Sequence, residues 1–152
     1  MKDQKKVAEG KRTRAAGQRF ELKVREEFEK DGWFVDKWSN SVEFHNDEDV
    51  HELPFTVGKL VKVKNKFLGP GRPMMLGAGF PDFIAFRLVM LEDTGISGYE
   101  IIGIESKMTG VLDKKEKEMC QWLLDNKVFS KILIAKKGEK RGKILCKDFR
   151  DF

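Results

Sequence analysis

The sequence predicts a mixed α/β domain, and three observations carry that prediction. Two apolar runs rich in β-branched and aromatic residues, F-P-D-F-I-A-F-R-L-V-M-L and Y-E-I-I-G-I-E-S-K, flank the break E-D-T-G-I-S-G, which reads as a β-hairpin spanning Phe80 to Lys107. Helical periodicity appears on both sides of it, at Phe20, Val24 and Phe28 and again at Met119 and Leu123. A continuous apolar run from Val128 to Ala135 reads as a strand buried on both faces. The resulting order is α-β, an insertion, then β-β-α-β-β, with helices near both ends of a mixed central sheet.

The bounds agree with one domain. A chain of 152 residues can bury a real core, and 40% hydrophobic against 36% charged residues describes a globular protein with a heavily solvated surface. No apolar run approaches membrane length, and the lysine-rich N-terminus leads into no apolar segment, so neither a transmembrane helix nor a signal peptide is expected. Cys120 and Cys146 lack metal-type spacing, and Cys120 sits in an apolar helical pattern, which favours a reduced, cytoplasmic protein. The net charge of +5 is unevenly placed. Residues 1–20 carry seven Lys/Arg against two acids, residues 127–152 nine against three, and residues 21–126 fourteen against twenty. Basic ends around an acidic centre suit binding to a phosphate backbone beside a cation site. Two solvated tails would look the same.

Taken in order, residues 1–13 read as a basic, flexible arm, and residues 14–152 as the domain, with an insertion at about 42–73. The first helix is expected from about Arg14 to Lys30 and is stopped by Asp31-Gly32. Trp33 to Trp38 reads as a strand, ended by Ser39-Asn40-Ser41. The acidic stretch around His45 and His51 is either a metal-binding loop or a solvated one; its six-residue histidine spacing matches no standard pair. Between Phe55 and Phe67, Val61 and Val63 alternate with Lys62, Lys64 and Lys66, which fits an edge strand with one lysine face. The turn Leu68 to Pro73 contains Arg72 and leads to Gly77 and Gly79, which would allow close backbone approach to a ligand. After the hairpin, Leu112-Asp113 precedes a helix from about Lys114 to Asn126. Lys136 to Gly142 forms a basic turn, Lys143 to Cys146 a last short strand, and Phe149 and Phe152 pack the tail on the core.

Charges within apolar strands need a reason. Asp82 opens the first run of the hairpin, and Glu105 and Lys107 close the second, both on one face by strand alternation. A turn at about Thr94-Gly95 sets a register in which residue numbers sum to roughly 189, placing Asp82 opposite Lys107 and one diagonal step from Glu105. Two carboxylates suit a hard cation such as Mg²⁺, and a lysine beside them can hold or deprotonate a water and offset phosphate charge. The plain alternative is a salt bridge at exposed strand ends.

Gly79-Phe80-Pro81-Asp82 followed by Glu105-Ser106-Lys107 resembles the PD-(D/E)xK nuclease motif. In context it resembles most closely the archaeal Holliday-junction resolvases and the related VRR-NUC nucleases. The resemblance runs from Gly17 to about Lys136, with the insertion poorly matched. It implies a restriction-endonuclease-like fold. It implies Asp82 and Glu105 as Mg²⁺ or Mn²⁺ ligands, the backbone carbonyl of Ser106 as a further ligand, and Lys107 as the residue positioning the attacking water. Gly17-x-x-x-Glu21 resembles the family's first helix, where a glutamate assists metal or water binding; read alone, Glu21 is a surface glutamate. Gln121 in K-E-M-C-Q-W-L-L resembles a glutamine near the catalytic lysine. Ser39 corresponds to a polar residue facing substrate, and Arg72 to the approach to the P-D motif.

The expectation is a metal-dependent endodeoxyribonuclease acting on branched DNA as a homodimer. Its nucleic-acid contacts would come from Lys11, Arg12, Arg14, Ser39, Lys62, Lys64 and Arg72. Two alternatives remain open: a catalytically silent nucleic-acid-binding module of the same fold, and a subunit whose basic tails contact a partner protein.

Overall fold

A computed structural model describes residues 2–44, 58–67, 69–71, 77–90 and 92–152, with side chains from Lys6 onward. The elements are α1 (Lys2–Lys30), β1 (Phe34–Lys37), β2 (Asn40–Phe44), β3 (Gly58–Lys62), β4 (Phe83–Met90), β5 (Ser97–Ser106), α2 (Lys114–Asp125), β6 (Lys131–Lys137) and β7 (Ile144–Asp148), closed by a 3-10 turn, Phe149–Asp151. The chain is thus a mixed α/β protein, and its described residues form two α-helices and a five-stranded mixed sheet ordered β1-β4-β5-β6-β7. β5 and β6 are parallel and joined through α2; the other neighbours are antiparallel.

α1 lies on one face of the sheet. Its Phe20, Val24 and Phe28 join Trp33, Val35, Phe83, Ala85, Ile102 and Ile104 in one apolar cluster. α2 lies on the other, where Met119, Cys120 and Leu123 pack with Phe80, Phe129, Ile132 and Ile134. Burying one such large aliphatic side chain contributes about 1.5–3 kcal/mol, so these stripes hold both helices in place. Cys120 and Cys146 are both free thiols.

Helix α1 begins at Lys2, whereas the sequence suggested a start near Arg14. Residues 6–15 are exposed, so this part of the helix has no apolar stripe by which periodicity could reveal it. The helix ends as expected. Gly32 takes φ +83°, and the Trp33 N–H donates back to the Phe28 carbonyl at 3.0 Å.

The hairpin register is corrected by two residues. Phe83 pairs with Ile104 and Met90 with Ser97, so residue numbers sum to 187 and Asp82 comes opposite Glu105, not Lys107. The turn centres one residue earlier than expected, and Gly95, at φ +65°, lies downstream of its centre. An even shift leaves every side chain on its predicted face.

Ser39-Asn40-Ser41 does not simply end a strand, because Asn40 begins β2. β2 and β3 form a separate antiparallel ribbon that packs on α2, with Ser41 Oγ donating to Met119 Sδ at 3.5 Å. Along the chain after Leu60, Val61 and Val63 are half-buried while Lys62, Lys64 and Lys66 are exposed, as the alternation implied. His45, His51, their acidic neighbours and Arg72 lie outside the described residues. Phe149 is half-buried against the α2-side cluster, but Phe152 is exposed, stacking on Phe149 at 6.3 Å beneath Lys147 Nζ, 4.4 Å from its ring centre. Among the described residues no helix is long and apolar enough to cross a membrane.

Candidate active site

Each residue of the Gly79-Phe80-Pro81-Asp82 turn has a defined task. A side chain at Gly79 would place its Cβ 2.0 Å from the Trp38 carbonyl oxygen, so only glycine fits between β1 and this turn. The Phe80 N–H donates to the Asn40 carbonyl at 2.8 Å, and the Phe80 ring is buried against α2. Pro81 is buried beside Gly103, where a side chain would come within 2.7 Å of the proline ring. The Asp82 carbonyl accepts from the Trp38 N–H at 3.1 Å. Gly77 is equally constrained, since a Cβ there would meet the Val63 side chain at 2.1 Å. Both glycines therefore serve packing within the chain rather than the approach of a ligand.

Asp82 and Glu105 are cross-braced. The Asp82 N–H donates to Glu105 Oε2 at 3.1 Å, and the Ser106 N–H donates to Asp82 Oδ2 at 2.9 Å. One oxygen of each carboxylate is fixed in this way. Glu105 is 5% exposed, the one buried charged residue among those described. Burial first, and the Asp82 charge second, push its carboxyl up to about 8, against a smaller opposing pull from Lys107. Burial also raises Asp82, opposed by the Ser106 N–H.

Lys107 Nζ lies 3.6 Å from Glu105 Oε1 and forms a closer ion pair with Glu116 on α2. Burial works against its charge, but the Glu116 hydrogen bond and the charges of Glu105 and Glu116 outweigh it and hold the amine above its ordinary range. Lys107 is therefore an ammonium at neutral pH, suited to stabilising negative charge and unsuited to removing a proton from water. Glu116 also accepts from the Asp113 N–H at 2.9 Å, completing a capping box in which Asp113 caps the Glu116 N–H at 2.8 Å. The sequence carries a signal for this residue, Asp113-x-x-Glu116 at the helix start, but it marks a cap and not a partner for Lys107.

Glu21 pairs with Lys37 at the end of β1. Both charges act on Asp82, Glu21 raising and Lys37 lowering its carboxyl, so α1 does bring Glu21 toward the carboxylate pair. Lys37 also sits over the Phe83 ring at 4.5 Å. Ser106 lies between Glu105 and Lys107 with its Oγ buried and without a hydrogen-bond partner among the described residues. Gln121 is not brought to Lys107. It is exposed, donates to Asp125 at 2.8 Å, and lines a groove with Tyr99, Ile101 and Arg150. Ser39, Lys62 and Lys64 are exposed near the β2–β3 ribbon, and Lys11, Arg12 and Arg14 are exposed on the first half of α1.

Among the described residues no three His, Cys, Asp or Glu side chains cluster closely enough to hold a metal ion between them. The pair Asp82 and Glu105 still fits a hard divalent cation chemically, since Mg²⁺ commonly takes one or two carboxylates and fills its shell with water and phosphate. Two adjacent carboxylates, one of them buried, also carry a repulsion that a cation would relieve. No family model, curated protein or solved structure matches the chain.

Proposed function

We propose that the protein is a metal-dependent endonuclease of the PD-(D/E)xK type, with a restriction-endonuclease-like fold, hydrolysing phosphodiester bonds of branched DNA. The single observation that supports this reading most is the cross-braced pair Asp82 and Glu105 with the Lys107 ammonium 3.6 Å from the latter. Asp82, Glu105 and the Ser106 carbonyl would hold Mg²⁺ or Mn²⁺. Bound there, the ion supplies Lewis-acid polarisation of the scissile phosphate. Lys107 offsets the charge that grows on the phosphoryl oxygens, and its pairing with Glu116 keeps the ammonium oriented. Glu21, held by Lys37, adds negative charge on the α1 side of Asp82.

A homodimer is the assembly we propose. Phe34, Phe86, Leu88 and Tyr99 are exposed, and register pairs Phe34 with Phe86 and Leu88 with Tyr99, so they form one apolar face of the sheet. An exposed apolar face of this kind suits a second copy of the same surface.

The silent binding module stands as a second reading, favoured by one observation: Lys107 is engaged by Glu116, as a purely structural ion pair would be. Incubation with four-way junction, flap, linear duplex and single-stranded DNA, in Mg²⁺, Mn²⁺ or chelator, separates the two. The nuclease reading expects metal-dependent nicking strongest on the junction. Retarded DNA that is never cut in any metal would favour the silent module.

A further inference from the structure

A groove of about 570 Å³ opens between α1 and the β6–β7 turn. Its floor includes Ala16, Phe20 and Ile144, and its walls carry six cations: Arg19, Lys23, Lys137, Lys140, Arg141 and Lys143. Glu139 is the one acid lining it among the described residues.

What distinguishes these six residues is that they gather on one concave surface. Some described cations have partners, such as Arg25 with Glu29, Lys37 with Glu21, Arg87 and Lys131 with Glu100, and Arg150 with Asp148. None of the six groove cations has an acid within ion-pair distance among the described residues. Like charges gathered in a concave surface repel one another, and focus a positive potential outward. The fold holds them there by backbone bonds. The Gly138 N–H donates to the Lys143 carbonyl at 2.8 Å and the Lys143 N–H to the Lys140 carbonyl at 3.1 Å, so the turn presents its cations from a hydrogen-bonded frame.

The groove lies on the α1 face of the sheet, at the same end as the carboxylates, while Glu105 and Lys107 face α2. The Lys107 N–H donates to the Ala135 carbonyl at 2.9 Å, and the Lys137 N–H donates to the Met108 carbonyl at 3.2 Å. The end of β6, where the groove begins, is therefore bonded directly to the segment carrying Lys107. Lys11, Arg12 and Arg14 extend the same helix beyond Arg19.

We propose that this groove binds the phosphodiester backbone of the nucleic-acid strand that leads to the Asp82–Glu105 pair. This rests on the nuclease reading for the identity of the ligand. Arg19 and Lys23 on one wall and Lys140, Arg141 and Lys143 on the other take phosphates as charge contacts, without reading base sequence. Each contact releases about one condensed counterion, so the groove contributes to the salt dependence of binding.

The test uses the full chain in two variants, Lys140→Ala/Arg141→Ala/Lys143→Ala and Arg19→Ala/Lys23→Ala. Thermal melts first confirm that both fold. Affinity for a labelled DNA duplex is measured in chelator across a salt series, with polyglutamate as a competing non-nucleic polyanion, and nicking in Mg²⁺ is followed in parallel. The triple variant should flatten the slope of log K against log salt by about two to three and the double variant by about one to two. Each should weaken binding at moderate salt by about tenfold or more. Unchanged slopes in both folded variants overturn the groove even if the wild type nicks DNA. Polyglutamate displacing DNA at equal charge concentration overturns the nucleic-acid assignment in favour of an acidic protein partner. Slopes that fall while no DNA is ever cut uphold the groove and reject the chemistry proposed for the carboxylates.

Discussion

The backbone amide of Asp82 donates to the carboxylate of Glu105, two residues opposed across β4 and β5, and the amide next to Glu105 returns a hydrogen bond to Asp82. Each carboxylate is thereby aimed by the strand that carries the other. Free rotation of either side chain is removed before any ligand arrives, which is the pre-organisation a cation site needs.

The first consequence concerns pH. Glu105 has a folded-state pKa raised from 4.5 to about 8 by burial and by Asp82. A raised carboxyl means that the folded state binds a proton more tightly than the unfolded state. Its contribution to stability is therefore fully present below about pH 4.5 and is lost as pH rises through about 8. In chelator, the melting temperature should fall between pH 6 and pH 9, and Glu105→Gln should remove most of that fall. Stabilisation by Mg²⁺ should grow over the same interval, because the ion competes with the Glu105 proton. A melting temperature that rises from pH 6 to pH 9 in chelator would contradict the placement of Glu105.

Lys107 and Glu116 give a pair of opposite predictions. Lys107→Met keeps the stem and removes the charge, and cleavage should fall by about a hundredfold or more. Its stability loss in chelator should be recovered in Mg²⁺, since the ion takes over the neutralising role. Glu116→Gln leaves Lys107 with Glu105 as its one close acidic partner among the described residues and can still accept from the Asp113 N–H. The pH midpoint assigned to Glu105 should then shift downward, read from the same melts. A Lys107→Met protein that cuts normally per folded molecule would make the lysine purely structural.

Gly79→Ala tests the turn itself. The added Cβ falls 2.0 Å from the Trp38 carbonyl oxygen, a backbone atom that cannot swing aside. Overpacking of this kind costs about 1–3 kcal/mol or more. Denaturant unfolding should show that loss, while Gly10→Ala, where nothing lies within 4 Å, should be neutral or stabilising.

Leu88→Lys places a charge in the apolar face formed with Phe34, Phe86 and Tyr99. Leu88 is 58% exposed, so the substitution leaves the core untouched and should not unfold the chain. Sedimentation should show a dimer for the wild type and a monomer for the variant. Two species of equal mass would reject this face as the interface.

Much of this was legible in the residues because strand alternation and helix periodicity are local. Phe20, Val24 and Phe28 announced the buried stripe of α1, and parity alone put Glu105 and Lys107 on one face. The register of the hairpin was not legible to better than two residues, because seven consecutive turn-forming positions allow more than one centre. The first half of α1 has no apolar stripe and left no periodic trace. Glu116 was hidden for a different reason: its value lies in meeting Lys107 across the fold, and a capping-box motif gives no hint of that contact. Gln121 is the reverse case. It sits on the expected helix, but its amide is taken by Asp125 on the exposed side.

Whether Asp82 and Glu105 make this a metal-dependent nuclease is decided by the cutting of junction DNA. Nicking of labelled four-way junction DNA is followed for the wild type, Asp82→Asn and Glu105→Gln at saturating Mg²⁺ and in chelator, with binding of the same DNA measured alongside. The expected result is cutting by the wild type in Mg²⁺ alone, loss of cutting by about a thousandfold or more in either variant, and DNA affinity in both variants equal to or above the wild type. Cutting at the wild-type rate by either folded variant, or cutting that persists in chelator, would contradict the metal assignment.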